Sequence, residues 1–299
     1  MCEEEKEMKI GFVGLGIMGK PMCKNLIKAG YSVICFSRSR PAMDEAAKAG
    51  AAAAGSISEL APQCRIIITM LPDSPDVRQV ALGEGGIRDN AAPGTLLVDM
   101  SSIAPLASRE IHDALAAKNI RMLDAPVSGG EPKAVNGTLS VMVGGDVKDL
   151  EEARPILDVL ADSVTHVGPI GAGNIAKLAN QAIVAVNIAV LAEALTLAKK
   201  AGADPERVFQ AIRGGLAASA VMDAKAPMML SHNTQPGFTL DLHIKDLANV
   251  QEAGHSLAAP MPLVALVMEM MQSLKTGGHG SADHSVLSRF YEELAGCRL

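Results

Sequence analysis

The chain has 299 residues, 48% of them apolar, and a formal net charge of -6, which is enough for one large domain or two ordinary ones with a substantial core. With no Trp, two Tyr and five Phe it lacks the aromatic platforms of single-stranded nucleic-acid binding, and its negative charge argues against nucleic-acid or anionic-membrane partners. Five cysteines, odd in number and never spaced C-x-x-C, read as reduced thiols of a cytoplasmic protein rather than a disulfide or zinc framework. No H-E-x-x-H pattern occurs and no metal is expected; His279 and His284 fall in a Gly-rich stretch that reads as surface loop. The charged stretch 1–7 has no apolar core of a secretion signal.

Lys9–Val13 is predicted to be a strand, followed by a helix from Gly16 to Ala29 that stops at Gly30. Further strands are predicted at Ser32–Phe36, Ile66–Leu71, Thr95–Asp99, Arg121–Asp124, Ser140–Val143 and Val164–Val167. Strands alternating with helices imply a parallel sheet with crossovers, and the run Ile66-Ile67-Ile68 suits a strand covered on both faces. Past Gly168-Pro169-Ile170-Gly171 no strand pattern remains. Ile175–Lys200 reads as one helix of about seven turns, ended by Gly202, and Asp204-Pro205 caps the next. Later helices break at Gly214-Gly215 and Gly277-Gly278. The expected fold class is α/β: an N-terminal Rossmann-type doubly wound sheet over residues 8–170, then an all-α domain over 171–299. Asn180, Gln181, Asn187 and Glu193 interrupt the apolar segment Ile175–Ala198, so it reads as a buried helix and not a membrane span. The Met-rich stretch Met268–Met271 reads as helix packing.

Gly14-Leu15-Gly16-Ile17-Met18-Gly19 is G-x-G-x-x-G directly after a strand and opening a helix. Gly14 permits the tight turn, Gly16 lets backbone approach a pyrophosphate, and Gly19 lets helix and strand pack closely. The helix N-terminus offers unpaired N–H groups and a positive dipole to phosphates. The ribose-reading position at the end of the second strand is Ser37, followed by Arg38 and Arg40. Serine neither repels a 2′-phosphate nor replaces a carboxylate, and the arginines would pair with that phosphate, so NADP(H) is preferred and NAD(H) is possible. Two solvated loop arginines are the alternative.

Ligands of open α/β sheets lie beyond the carboxyl ends of the strands. Met70, Leu71 and Pro72, Ser101 and Ser102, and Ser128, Gly129 and Gly130 all occupy such positions. The Ser-Gly-Gly loop suits a carboxylate held by a nest of N–H groups, or is simply a tight loop. On the long helix, Lys177, Asn180 and Gln181 share a face at i, i+3 and i+4. Burying them without partners is costly, so they meet a ligand or a wet cleft unless Lys177 snorkels from the helix start. Lys245, in Asp241-Leu242-His243-Ile244-Lys245-Asp246-Leu247, is explained equally well by a surface charge cluster.

Together these segments resemble the β-hydroxyacid dehydrogenase family over nearly the whole chain. The family's cofactor signature is similar to Gly14 through Met22 with Asn25-Leu26, and its substrate signature to Asp124 through Gly130 with Ala134, Gly137, Thr138 and Leu139. Its G-x-G-x-x-x-K matches Gly171, Gly173 and Lys177, and its K-D-L matches Lys245-Asp246-Leu247. Where the family often has Asn four residues after the lysine, this chain has Gln181, with Asn180 one earlier. Where many relatives carry an acid, it has Ser37.

The resemblance implies an oxidoreductase in which NAD(P)H delivers hydride to a small carboxylated aldehyde. Within the family, the loop continuing Glu131-Pro132-Lys133 most resembles that of enzymes acting on tartronate semialdehyde, and the resemblance implies its reduction to D-glycerate. It assigns Lys177 as general acid and base, its amine brought from a free value near ~10.4 towards working pH by desolvation. The resemblance assigns Asn180 to the substrate oxygen, Ser128, Gly129, Gly130 and Ser102 to the carboxylate, and Lys245 to the substrate or the cofactor. The cofactor falls to Gly14, Leu15, Gly16, Ile17, Met18, Gly19, Ser37, Arg38, Arg40, Met70, Leu71, Pro72, Ser102 and Lys245, and the helical domain helps form a homo-oligomer. Family enzymes acting on 3-hydroxyisobutyrate, succinic semialdehyde or glyoxylate are the nearest alternatives. A non-catalytic NAD(P)-binding redox sensor would have no need of Lys177.

Overall fold

The computed structural model describes residues 8–299, so the charged stretch 1–7 lies outside it. β1 (Lys9–Val13) leads into α1 (Gly19–Lys28). There follow β2 (Ser32–Phe36), α2 (Arg40–Lys48), β3 (Ala52–Ala53), α3 (Ile57–Leu60), β4 (Ile66–Thr69), α4 (Ser74–Leu82), α5 (Ile87–Asn90), β5 (Leu96–Asp99), α6 (Pro105–Ala116) and β6 (Arg121–Asp124). Then come β7 (Val127–Ser128), α7 (Gly130–Asn136), β8 (Leu139–Gly144), α8 (Val147–Leu160) and β9 (Ala161–Gly168). The sheet runs β3-β2-β1-β4-β5-β6-β8-β7, with β9 on β8. Its first six strands have the order of a dinucleotide-binding sheet, whose crevice opens where the order reverses, between β1 and β4.

Alternation along the strands builds both cores. Ile66 and Ile68 pack with Leu96, Val98 and Leu123 on one side of the sheet; Ile67 packs with Leu97 and Met122 on the other. β1 through β6 are parallel, but β8 runs antiparallel to β6 and β7, so the wholly parallel sheet expected from strand–helix alternation is corrected to a mixed one. The two-residue strands β3 and β7 were not foreseen, being too short to show a period. β4 ends at Thr69, before Pro72 removes a donor, and β9 is twice as long as its apolar core, Val164–Val167, suggested. α1 begins at Gly19 rather than Gly16, because residues 16–18 form the turn that leads into it.

The second region is helical: α9 (Ala172–Lys200), α10 (Pro205–Ile212), α11 (Ala220–Leu230), α12 (Leu240–Ser256), α13 (Pro262–Leu274) and α14 (Ser288–Ala295). Asp204 caps α10 by accepting the Glu206 N–H, with Pro205 in its first turn. Leu178, Ala182, Ala185, Ala189 and Ala192 of α9 form a heptad-spaced stripe in a core that includes Phe209, Leu247, Val267 and Met271. α9 is long and apolar enough to cross a membrane by length and composition, yet 56% of its most apolar window is buried in the protein. The expected burial holds for part of its circumference, while Ile183, Val190 and Leu197, seven residues apart, lie on an exposed stripe. By packing the chain divides into two compact units, one ending at Lys177 and the other Leu178–Leu299. This packing boundary falls later than the division expected at 170/171, because the start of α9 packs against the strand ends of the sheet.

Candidate active site

The three glycines of the loop do three different things. Gly14, at φ +99°, donates its N–H to Phe36 O at 2.9 Å, and a Cβ there would run into the carbonyl of Met70. Gly19 lies against the Gly14 carbonyl, so α1 starts in contact with the end of β1. At Gly16 nothing lies within 4 Å of where a Cβ would stand, leaving its backbone open to a ligand. Leu15 is buried, Ile17 is exposed, and Met18 precedes the helix. No acidic side chain sits in the first turn of α1 to oppose an anion at its positive end. Asn25 Nδ2 donates to Ala134 O at 2.9 Å, tying α1 to the helix that follows the Ser-Gly-Gly loop.

A cavity of about 370 Å³ opens beside Gly14, lined among others by Phe36, Ser37, Arg38, Leu71 and Asp76. Its glycine loop, apolar wall and strand-end position fit the adenosine half of a dinucleotide. Ser37 follows β2 as expected, its Oγ accepting the Ser39 N–H at 3.3 Å. Arg38 lines the cavity and donates to Asp76 Oδ1 at 3.1 Å. Arg40 is not brought there. It opens α2 and pairs with Asp44 at 3.1 Å, its side chain exposed.

The remaining strand-end loops are bonded to one another. Met70 N–H donates to Val13 O at 2.9 Å and Leu71 N–H to Ser101 Oγ at 2.9 Å; Pro72 lies exposed beside them. Asp99, fully buried at the end of β5, accepts from Thr69 Oγ1 at 2.8 Å and from Ser101 N–H at 3.2 Å. Burial pushes its pKa up to about 6. Ser102 is half-buried in the same loop. Ser128, also half-buried, ends β7 opposite Ser140. Gly129 and Gly130 both have positive φ, and a Cβ on Gly129 would strike the Lys133 side chain.

Asp124, at the end of β6, holds the start of α9. Its Oδ1 accepts the Gly171 N–H and its Oδ2 the Asn174 N–H, each at 2.7 Å; burial pushes its pKa up to about 6. Lys177 lies one turn beyond Gly173 and is buried, 7% exposed.

In the second unit, Gln181 and not Asn180 is the buried amide. Gln181 Nε2 donates to Asp246 Oδ2 at 2.5 Å and its Oε1 accepts from Asn180 Nδ2 at 2.9 Å. Both ends of the Gln181 amide are thereby occupied, while half-buried Asn180 keeps its own carbonyl for another partner. Lys245 lies 2.9 Å from Asp246 Oδ1, its side chain 19% exposed. His284, expected on a surface loop, is buried instead. Its Nδ1 lies 2.8 Å from Nδ1 of His243, with the Phe238 ring edge-on to both. The Asp283 cap that starts its turn was the signal available in the sequence.

Asp76, Asp99 and Asn174 are not singled out by the sequence. A lone acid or amide carries no local signature when its partner lies tens of residues away.

Residues 9–168 match the NAD binding domain of 6-phosphogluconate dehydrogenase, and residues 171–291 match the NAD-binding domain of NADP-dependent 3-hydroxyisobutyrate dehydrogenase. The chain is 40% identical over 292 residues to 2-hydroxy-3-oxopropionate reductase of Escherichia coli (strain K12), covering 98% of this chain and all of that one. It is 37% identical over 293 residues to 2-(hydroxymethyl)glutarate dehydrogenase of Eubacterium barkeri, covering 98% and 97%. Its fold is similar to that of 3-hydroxyisobutyrate dehydrogenase of Mycobacterium tuberculosis with L-serine, with TM-score 0.88, 33% identity, and coverage of 94% and 98%. This chain belongs to the β-hydroxyacid dehydrogenase family and is an NAD(P)-binding oxidoreductase.

Proposed function

We propose that the chain reduces tartronate semialdehyde (2-hydroxy-3-oxopropanoate) to D-glycerate, with NADPH preferred to NADH. The observation that carries this reading is Lys177, an amine buried at the strand-end edge of the sheet on a helix turn gripped by Asp124. Such an amine, shielded from water, suits general acid–base work. Bound NAD(P)H supplies the hydride that the carbonyl carbon accepts. Lys177 gives its proton to the carbonyl oxygen as charge develops there, and takes one from the hydroxyl in the reverse direction. Asn180 orients that oxygen. Ser128, Gly129 and Gly130, helped by Ser102, receive the carboxylate.

Likeness over the full length of both chains to the Escherichia coli reductase supports the choice of substrate. The exposed apolar stripe Ile183, Val190 and Leu197 supports a homo-oligomer. The test is oxidation of NADPH and NADH with tartronate semialdehyde, succinic semialdehyde and glyoxylate, and the reverse reaction with 3-hydroxyisobutyrate and 2-(hydroxymethyl)glutarate. Tartronate semialdehyde is expected to give the highest kcat/KM. A higher value for either branched acid would replace this substrate with that one.

A further inference from the structure

We infer that Asp124 and Asn174 are positioning residues for Lys177: through two hydrogen-bond clamps they set the first turn of α9, and with it the amine, against the strand-end loops. The inference rests on the reading of Lys177 as the proton-handling group.

The first clamp is Asp124. Helices begin with backbone N–H groups that have no partner within the helix. Here the N–H groups of Gly171 and Asn174 each go to a separate oxygen of one carboxylate, both at 2.7 Å, a length typical of charge-assisted bonds. The acceptor is anionic and sits at the positive end of a 29-residue helix, where the dipole favours it.

The second clamp is Asn174 itself, fully buried. Its Oδ1 accepts the Ile103 N–H at 3.1 Å and its Nδ2 donates to Ser108 Oγ at 3.0 Å. The helix start is thereby joined to the loop that carries Ser102 and to α6. A third side is closed by backbone. A Cβ on Gly173 would stand 2.5 Å from the carbonyl oxygens of both Asp124 and Met142, so α9 touches the ends of β6 and β8 directly.

The spacing of the motif follows from this contact. Lys177 is three residues after Asn174 and four after Gly173, so all three lie on one face of the helix. At 1.5 Å per residue, the amine-bearing residue stands about 6 Å along the axis from the helix–strand contact. The face that grips the strand ends and the Ser102 loop is, one turn later, the face that presents Lys177. Catalytic groups must be held within about 0.5 Å of their working position, and an error near 1 Å costs about 10²-fold in rate.

The test is a double-mutant cycle on the full-length enzyme, with Asp124→Asn and Asn174→Ala each made alone and combined with Lys177→Ala. Asp124→Asn is isosteric and keeps one acceptor oxygen. NADP+ Kd by titration and the stoichiometry of cofactor binding report how much folded site remains. Each single variant is expected to lower kcat about 10- to 100-fold with NADP+ Kd and substrate KM within about twofold of the unmodified enzyme, and to have no further effect on kcat in the Lys177→Ala background. If Lys177→Ala alone retains full kcat, the reading of Lys177 fails. If Lys177→Ala is impaired but the clamp variants are not, or if they lower kcat equally in both backgrounds, Lys177 stands and the positioning role is overturned.

Discussion

Asp99 and Asp124 are register partners at the carboxyl ends of neighbouring strands β5 and β6, and both are fully buried. Asp99 Oδ2 finds no hydrogen-bond partner among the described residues, and the negative charge on Asp124 adds to the effect of burial on Asp99. The two carboxylates together hold the loops after β4 and β5 and the start of α9.

Their titration predicts an inverted pH dependence. Each has a pKa of about 6 in the folded protein against about 3.9 in an unfolded chain, so the folded state binds the proton more tightly. The stability this contributes is fully present below about pH 4 and is lost as pH rises through about 6. At 1.36 kcal/mol per unit, the loss is on the order of 3 kcal/mol for each aspartate. Asp99→Asn keeps the oxygen that Thr69 and Ser101 use and removes the buried charge. Its urea midpoint, relative to the unmodified protein, should rise between pH 5 and pH 8. Parallel curves for the two proteins across that range would contradict the assignment.

Lys177→Ala should lower kcat by about 10²–10⁴, the usual cost of losing a general acid or base. NADP+ Kd should stay within about twofold, because Lys177 lies outside the glycine loop. Single-turnover measurements beside cofactor titration separate the two quantities. Turnover near that of the unmodified enzyme would remove Lys177 from the chemistry.

Cofactor choice should depend on Arg38 and Asp76 and not on Arg40. The Arg38 side chain is 82% exposed in its pair with Asp76, and such surface pairs contribute about 0–1 kcal/mol, so a 2′-phosphate displaces the carboxylate at little cost. One charge-assisted hydrogen bond of about 1.5–3 kcal/mol corresponds to at least tenfold in affinity. Arg38→Ala should weaken NADP+ binding about tenfold and leave NAD+ unchanged. Asp76→Asn should tighten NADP+ binding, by removing both a competitor for Arg38 and a like charge, and Arg40→Ala should change neither. Calorimetric Kd values for both nucleotides at low and high salt decide this. Equal or tighter binding of NADH by the unmodified enzyme would end the NADPH reading.

Two glycine substitutions should separate fold from function. Gly173→Ala sets a Cβ against backbone on two strands, and overpacking of this kind costs about 1–3 kcal/mol, so its melting temperature should drop. Gly16→Ala meets nothing within 4 Å. It should melt with the unmodified protein yet bind NADP+ more weakly, since the methyl occupies the side open to the ligand. A fall in melting temperature for Gly16→Ala matching that of Gly173→Ala would show that the loop is structural only.

The local patterns of the sequence determined much of this. Ile66-Ile67-Ile68 declared a strand covered on both faces because successive side chains point to opposite sides of a sheet. The glycine loop declared itself because its three conformational demands lie within six residues. Lys177 stood out because a charge on an apolar helix is locally anomalous. Only the tertiary structure decided which groups meet. Asp124 lies 50 residues from Asn174, Arg38 lies 38 from Asp76, and His243 lies 41 from His284. Sheet register and crossover geometry bring these partners together, and neither leaves a trace in the composition or period of the segments concerned. The place where the chain divides, at Lys177 and not at Gly171, is likewise set by contact: the side-chain-free surface of Gly173 lets the helix start press against the strand ends and join the first unit.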